Sequence, residues 1–177
     1  MPSKNKGFSL IELLVVISII LIMSALILAS YRSGQIRYTL NLAAEQIISN
    51  LRQAQNSAIS GKMAETYNGY GIYFRVNQSY YIIFGDVNGN KTYETPTSDI
   101  LLETTQLPNG IKINSIIQGA TSYSYAEVDF EPPAPKTYIK GRSAEQNSNS
   151  LIINLSTADG SLSKNITISP FGLIKSD

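Results

Sequence analysis

Phe8 to Tyr31 reads FSLIELLVVISIILIMSALILASY, with Glu12 as its one charged side chain. A helix rises about 1.5 Å per residue, so roughly 20 such residues cross a hydrocarbon core about 30 Å thick. The run is long enough to span a membrane. Met1 to Gly7 precedes it with Lys4, Lys6 and no acidic residue. That is the charge pattern of a cytoplasmic flank, and a first apolar segment with such a flank usually sets the topology despite Arg32 and Arg37 beyond it. The N-terminus is therefore expected inside and the bulk of the chain outside the cytoplasm. A removable secretory signal fits poorly, because Ser24-Ala25 and Ala29-Ser30 match an A-x-A-like cleavage site badly and the apolar run outlasts a normal h-region. Glu12 then needs a reason: a carboxylate costs roughly 2.5 kcal/mol or more at the centre of a bilayer, less near its edge, and marks a functional position by default.

The helical pattern continues beyond the span. No proline occurs between Pro2 and Pro96, which removes the strongest helix breaker. Apolar residues recur at Ile36, Leu40, Ala43, Ile47, Leu51, Ala54 and Ala58, at spacings of three and four that draw one stripe along a helix. Polar residues such as Arg37, Asn41, Glu45, Asn50 and Arg52 fill the other faces, and Gly61 is a natural stop. A helix from Phe8 to about Ser60 would be roughly 80 Å long. Gly34 is its softest point, since glycine costs about 1 kcal/mol relative to alanine inside a helix. The stripe is read as a packing face for the C-terminal part of the chain.

Beyond Gly61 the pattern changes to a period of two. Tyr70, Ile72, Phe74 and Val76 share a face, Asn77-Gln78 makes a turn, and Ser79 to Gly85 returns, as a hairpin does. Ile100 to Thr105, Ile111 to Ile117, Tyr123 to Glu131, Leu151 to Ser156 and Leu162 to Ile168 are further strands, the last two joined through Ala158-Asp159-Gly160. Ala126, Val128 and Phe130 alternate with Glu127, Asp129 and Glu131, which predicts one dry and one wet face. Glu65 to Gly69, Asn88 to Ser98, Pro132 to Pro135 and Gly141 to Ser150 read as loops. The expected fold class is α+β: a long N-terminal helix packed on a C-terminal antiparallel β head of one or two sheets. The expected divisions are a leader at 1–7, a membrane half of the helix at 8–31, an amphipathic half at 32–61 and the head at 62–177.

Composition narrows the chemistry. Among 177 residues there are 14 Lys plus Arg against 13 Asp plus Glu, so electrostatic capture of a polyanion by the whole surface is not expected. The chain has no Cys and no His, which excludes thiol nucleophiles, Cys/His zinc sites and imidazole acid–base catalysis. No enzymatic motif is present, and none is predicted.

Two head segments hold candidate ligands. Asp86, Asn88, Asn90 and Glu94 place oxygen side chains at alternate positions of DVNGNKTYE, as calcium loops do, although the glycine and the final acid stand earlier than in an EF-hand. They are the calcium candidates, against the simpler reading of an Asn-Gly turn. Lys136, Lys140 and Arg142 surround Tyr138, a basic and aromatic group able to touch DNA phosphates and stack on bases. Glu131 and Glu145 flank it, which favours a solvated loop.

Lys6-Gly7-Phe8-Ser9-Leu10-Ile11-Glu12, followed by Leu13-Leu14-Val15-Val16-Ile17, resembles the class III signal of type IV prepilins and type II secretion pseudopilins. The resemblance implies cleavage between Gly7 and Phe8 by a prepilin peptidase and N-methylation of Phe8. It also implies pairing of Glu12 with the terminal amine of an adjacent subunit during assembly. The cut would remove Lys4 and Lys6 and leave the anchor. Val128-Asp-Phe-Glu-Pro132, Leu151 to Leu155 and Ile166-Thr-Ile-Ser-Pro-Phe-Gly172 are similar to the ending of H-type minor pseudopilins and T-type minor pilins, some of which are associated with DNA uptake. The family implies a minor subunit of a type II secretion pseudopilus or type IV pilus, held in the inner membrane before it enters the filament. Its expected partners are other pilin subunits, the peptidase, an inner-membrane assembly platform and lipid. The proline within the apolar half that kinks many pilins is missing here. The alternative is an uncleaved single-pass membrane protein whose outer head binds DNA or calcium.

Overall fold

A computed structural model describes residues 7–60, 66–94, 98–132, 136–140 and 149–177. Helix α1 (Leu10–Ile59) is continuous over 50 residues. Ser9 caps it: the Glu12 N–H donates to Ser9 Oγ at 3.3 Å and the Leu13 N–H to the Ser9 carbonyl at 3.2 Å. Serine followed three places later by glutamate is the capping-box spacing. Gly61, the expected stop, lies outside the described residues.

The chain divides into two units, one ending at Arg37 and one running Tyr38–Asp177. In the first, every side chain described from Phe8 to Leu28 is exposed, and Leu10–Leu28 is long and apolar enough to cross a membrane. Ser18 turns its hydroxyl back to the Leu14 carbonyl at 2.8 Å, so its polar group is satisfied within the helix, as hydrocarbon surroundings demand.

The second unit contains the rest of α1 and ten strands: β1 (Gly69–Arg75), β2 (Tyr80–Asp86), β3 (Asp99–Gln106), β4 (Ile111–Gln118), β5 (Thr121–Tyr123), β6 (Tyr125–Glu131), β7 (Lys136–Lys140), β8 (Leu151–Thr157), β9 (Ser163–Ile168) and β10 (Ile174–Ser176). They form two five-stranded antiparallel sheets, ordered β3-β2-β1-β6-β7 and β10-β9-β8-β4-β5. The architecture is α+β and pilin-like. One core joins the helix stripe to both sheets. Leu40, Ala43, Ala44, Ile47, Ile48, Leu51, Ala54 and Ala58 meet Ile72, Phe74, Val128 and Phe130 of the first sheet and Ile113, Ile116, Leu151, Ile153 and Leu155 of the second. Tyr81 fixes the helix to β2 through its hydroxyl, which accepts a hydrogen bond from Asn50 Nδ2 at 2.8 Å. Gly71 is bare because the Phe84 ring occupies the space that a Cβ would need.

Three strand expectations are corrected. Tyr123 to Glu131 is not one strand: it breaks at Ser124, where β5 leaves β4 of the second sheet and β6 joins β1 of the first. The basic segment read as a loop is edge strand β7, with Phe130 opposite Thr137 and Asp129 opposite Tyr138. Thr137 and Ile139 point into the protein and are buried there, so the period is that of a strand despite the flanking lysines. The predicted wet face of β6 is dry. Glu127 and Asp129 are 2% and 1% exposed because the segment between β2 and β3 folds back over that face. Tyr93 packs on the rings of Tyr73 and Phe84, with centroids 5.3 and 5.2 Å away, and its N–H donates to Glu127 Oε1 at 3.0 Å.

Candidate functional site

The N-terminal candidates lie on one short stretch. Gly7 and Phe8 precede the helix, both exposed, and a Cβ at Gly7 would meet nothing within 4 Å. Phe8 is 83% exposed, covered by none of the described residues. Glu12 sits in the first turn of α1, where a negative charge also suits the positive end of the helix dipole. From Leu13 to Leu28 the apolar surface is continuous and uncharged. Residues 1–6 of the expected leader lie outside the described residues.

The head candidates group differently from their sequence order. Asp86 ends β2 almost fully buried and organises the turn after it. Its Oδ1 accepts the Gly89 N–H at 2.7 Å and its Oδ2 the Lys91 N–H at 2.8 Å. Asn88 and Asn90 accept the N–H groups two residues on, Asn90 at 2.9 Å and Thr92 at 2.8 Å, which is the asparagine turn of short polar loops. Positive φ angles of 75° at Gly89 and 61° at Lys91 complete the coil. Glu94 is exposed and receives Asn88 Nδ2 at 3.4 Å. Asp99 closes the segment from the other end, accepting the Val87 N–H at 3.3 Å and the Glu94 N–H at 2.7 Å.

Asp129, which sequence reasoning placed on a wet face, lies beneath this loop. Its carboxylate sits over Gly69, where a Cβ would come within 2.5 Å of Oδ1 and 2.8 Å of Oδ2. Gly69 is opposite Asp86 in the β1–β2 ladder, so the two carboxylates flank one bare backbone position. Neither Asp129 oxygen accepts a hydrogen bond from a described residue. Burial, reinforced by the negative charge of Asp86, pushes the Asp129 carboxyl up to about 7, while Lys91 opposes the rise. Burial also raises Asp99, against the two N–H groups that it accepts. The Lys91 ammonium lies over the Tyr138 ring, 4.3 Å from its centroid, and 3.8 Å from Glu131 Oε2. Among the described residues, no three Asp or Glu side chains converge closely enough to hold a metal by themselves.

The DNA candidates are partly visible. Lys136 is exposed at the start of β7 opposite Glu131, and Tyr138 is covered by Lys91. Arg142 and the side chain of Lys140 lie outside the described residues. A cavity of about 210 Å³ lies between α1 and the first sheet, lined by Asn50, Gln53, Ser57, Tyr67, Leu102 and Glu103 among others.

Residues 2–28 match the family model of the prokaryotic N-terminal methylation motif. This is the class III signal peptide of type IV pilins and pseudopilins, and it coincides with the exposed Gly7 and Phe8, the capped helix start and the exposed span. The motif covers the first part of the chain alone and is the processing signal of type IV pilins and pseudopilins, proteins that prepilin peptidase cuts and that assemble with other pilin subunits. Together with the apolar helix it fits an inner-membrane-anchored pilin. No curated protein and no solved structure matches the chain.

Proposed function

We propose that the chain is a minor structural subunit of a type II secretion pseudopilus or a type IV pilus. In this reading prepilin peptidase cuts after Gly7, Phe8 becomes the N-methylated terminus, and the Leu10–Leu28 surface passes from lipid to a bundle of like helices. The supporting observation is that the methylation motif falls on a helix start where Glu12 is the one charged side chain among the described residues up to Leu28, with an exposed apolar surface after it. A terminal ammonium and a carboxylate in a low-dielectric layer each carry a desolvation cost that the other offsets. Glu12 then selects the axial position of a neighbouring subunit, and helices related by one repeated translation build a filament rather than a closed ring.

Glu12→Gln tests this more sharply than Glu12→Ala. Glutamine serves a capping box as glutamate does, so the helix start is retained and only the charge is lost. The expected result in a host with the assembly machinery is a mature chain beginning at methylated Phe8, present in the membrane and depleted at least tenfold from sheared filaments. Intact mass and N-terminal sequencing read the first part and immunoblotting the second. A chain still beginning at Met1 beside an active peptidase, and absent from filaments, would favour the uncleaved membrane protein with a ligand-binding head, whereas full incorporation of Glu12→Gln would remove Glu12 from the assembly contact.

A further inference from the structure

We propose that the turn after β2, residues 87–94, covers a calcium site in which Asp129 supplies a carboxylate that the turn itself lacks, beside Asp86. The sequence offers alternating oxygens from Asp86 to Glu94, yet two of them, on Asn88 and Asn90, are spent on asparagine turns at the exposed rim. The buried end of the loop is where charge accumulates. Asp86 and Asp129 are each 1% exposed and flank Gly69, whose missing side chain makes room for the Asp129 carboxylate beside Asp86.

A buried carboxylate normally has hydrogen-bond donors or a cation beside it. Asp129 has no donor among the described residues, and the ammonium of Lys91 is engaged with Glu131, the Tyr138 ring and the Gly89 carbonyl at 3.4 Å. Asp86 uses one lone pair of each oxygen on the loop, and each oxygen keeps a second. Two carboxylates are fewer than an EF-hand provides. Main-chain carbonyls, the carboxylate of Glu131 and water are the other oxygens within the chemistry of calcium, which accepts six to eight oxygen ligands in irregular geometry. Magnesium demands a near-ideal octahedron and gives up water reluctantly. With no thiol or imidazole in the chain to favour softer metals, the donor set selects a hard cation.

The test uses the full chain in detergent micelles after treatment with chelator. Calcium titration by calorimetry should show one site, with a dissociation constant of about 10⁻⁴ to 10⁻³ M as in weak extracellular modules, and thermal melting should rise by several degrees at saturation. Terbium should bind in the same place and luminesce through Tyr93 or Tyr138, since the chain has eleven Tyr and no Trp. Asp129→Asn removes no hydrogen bond, so it should melt in chelator at or above the wild-type temperature while weakening calcium at least tenfold. Glu94→Gln, at the exposed rim, should change the affinity less than threefold. A wild-type chain that neither binds nor is stabilised by calcium at about 10 mM would overturn the proposal. So would an Asp129→Asn chain that binds as the wild type does.

Discussion

The two halves of α1 are built from the same secondary structure and solve opposite problems. Between Leu10 and Leu28 the side chains are almost all apolar, whichever face they stand on, and none is buried. Between Leu40 and Ala58 only one stripe is apolar, and that stripe is the floor of the head. The first half is covered by none of the described residues, so its surface needs lipid or other copies. The second half has its partner already. One helix thus carries an intermolecular segment and an intramolecular one in series, and burial, not helicity, separates them.

Substitutions should separate the halves by size of effect. Leu51→Ala empties a fully buried position in the core that the helix shares with the sheets and should cost about 2–5 kcal/mol, measured by melting the full chain. Leu14→Ala, exposed in the span, should leave that melting unchanged within about 0.5 kcal/mol yet reduce filament yield. Equal effects of the two on melting would break the distinction. Gly71→Ala tests the head alone. A methyl group there meets the Phe84 ring, and overpacking of this kind should cost about 1–3 kcal/mol.

Tyr81 gives the most specific change. Burial is the main reason that its hydroxyl is pushed up to about 12, with the hydrogen bonds from Thr105 and Asn50 pulling the other way. The fold therefore favours the neutral phenol. Its contribution is complete below the ordinary value near 10 and is lost as the pH rises from 10 towards 12. Tyr81→Phe should cost about 1 kcal/mol at neutral pH through the lost bond to Asn50 and should flatten part of the alkaline decline. An unchanged decline would assign it to other tyrosines.

Much of the fold was legible from residue spacing. Six of the seven stripe positions are buried as their period required, and Ala44 and Ile48 widen the stripe. Ile36 is exposed because it precedes Tyr38, where the head unit begins. The first hairpin followed from alternation and the Asn77 turn, whose φ of 64° suits asparagine. Ser124 was readable in principle, since Tyr123 falls out of phase with Ala126, Val128 and Phe130. β7 was obscured by its lysines. Asp129 was misassigned for a deeper reason: alternation says which face of a strand is apolar, but not that a distant loop will cover the polar one. The burial of that carboxylate is a tertiary fact, created by Tyr93 packing on Tyr73 and Phe84. At the N-terminus no such covering intervenes, and the short motif was readable without the fold.

Gly34 has a mechanical meaning as well. A Cβ there would meet nothing within 4 Å, so steric crowding does not account for glycine, and the residue weakens the helix by about 1 kcal/mol relative to alanine. A filament under tension transmits load along its helices, and the turn that yields first is the one with the least to lose. Each residue that passes from helix to extended chain lengthens from about 1.5 to about 3.3 Å. In the proposed filament a single turn around Gly34 would therefore act as a spring of several ångströms, giving the subunit extensibility without unpacking its head.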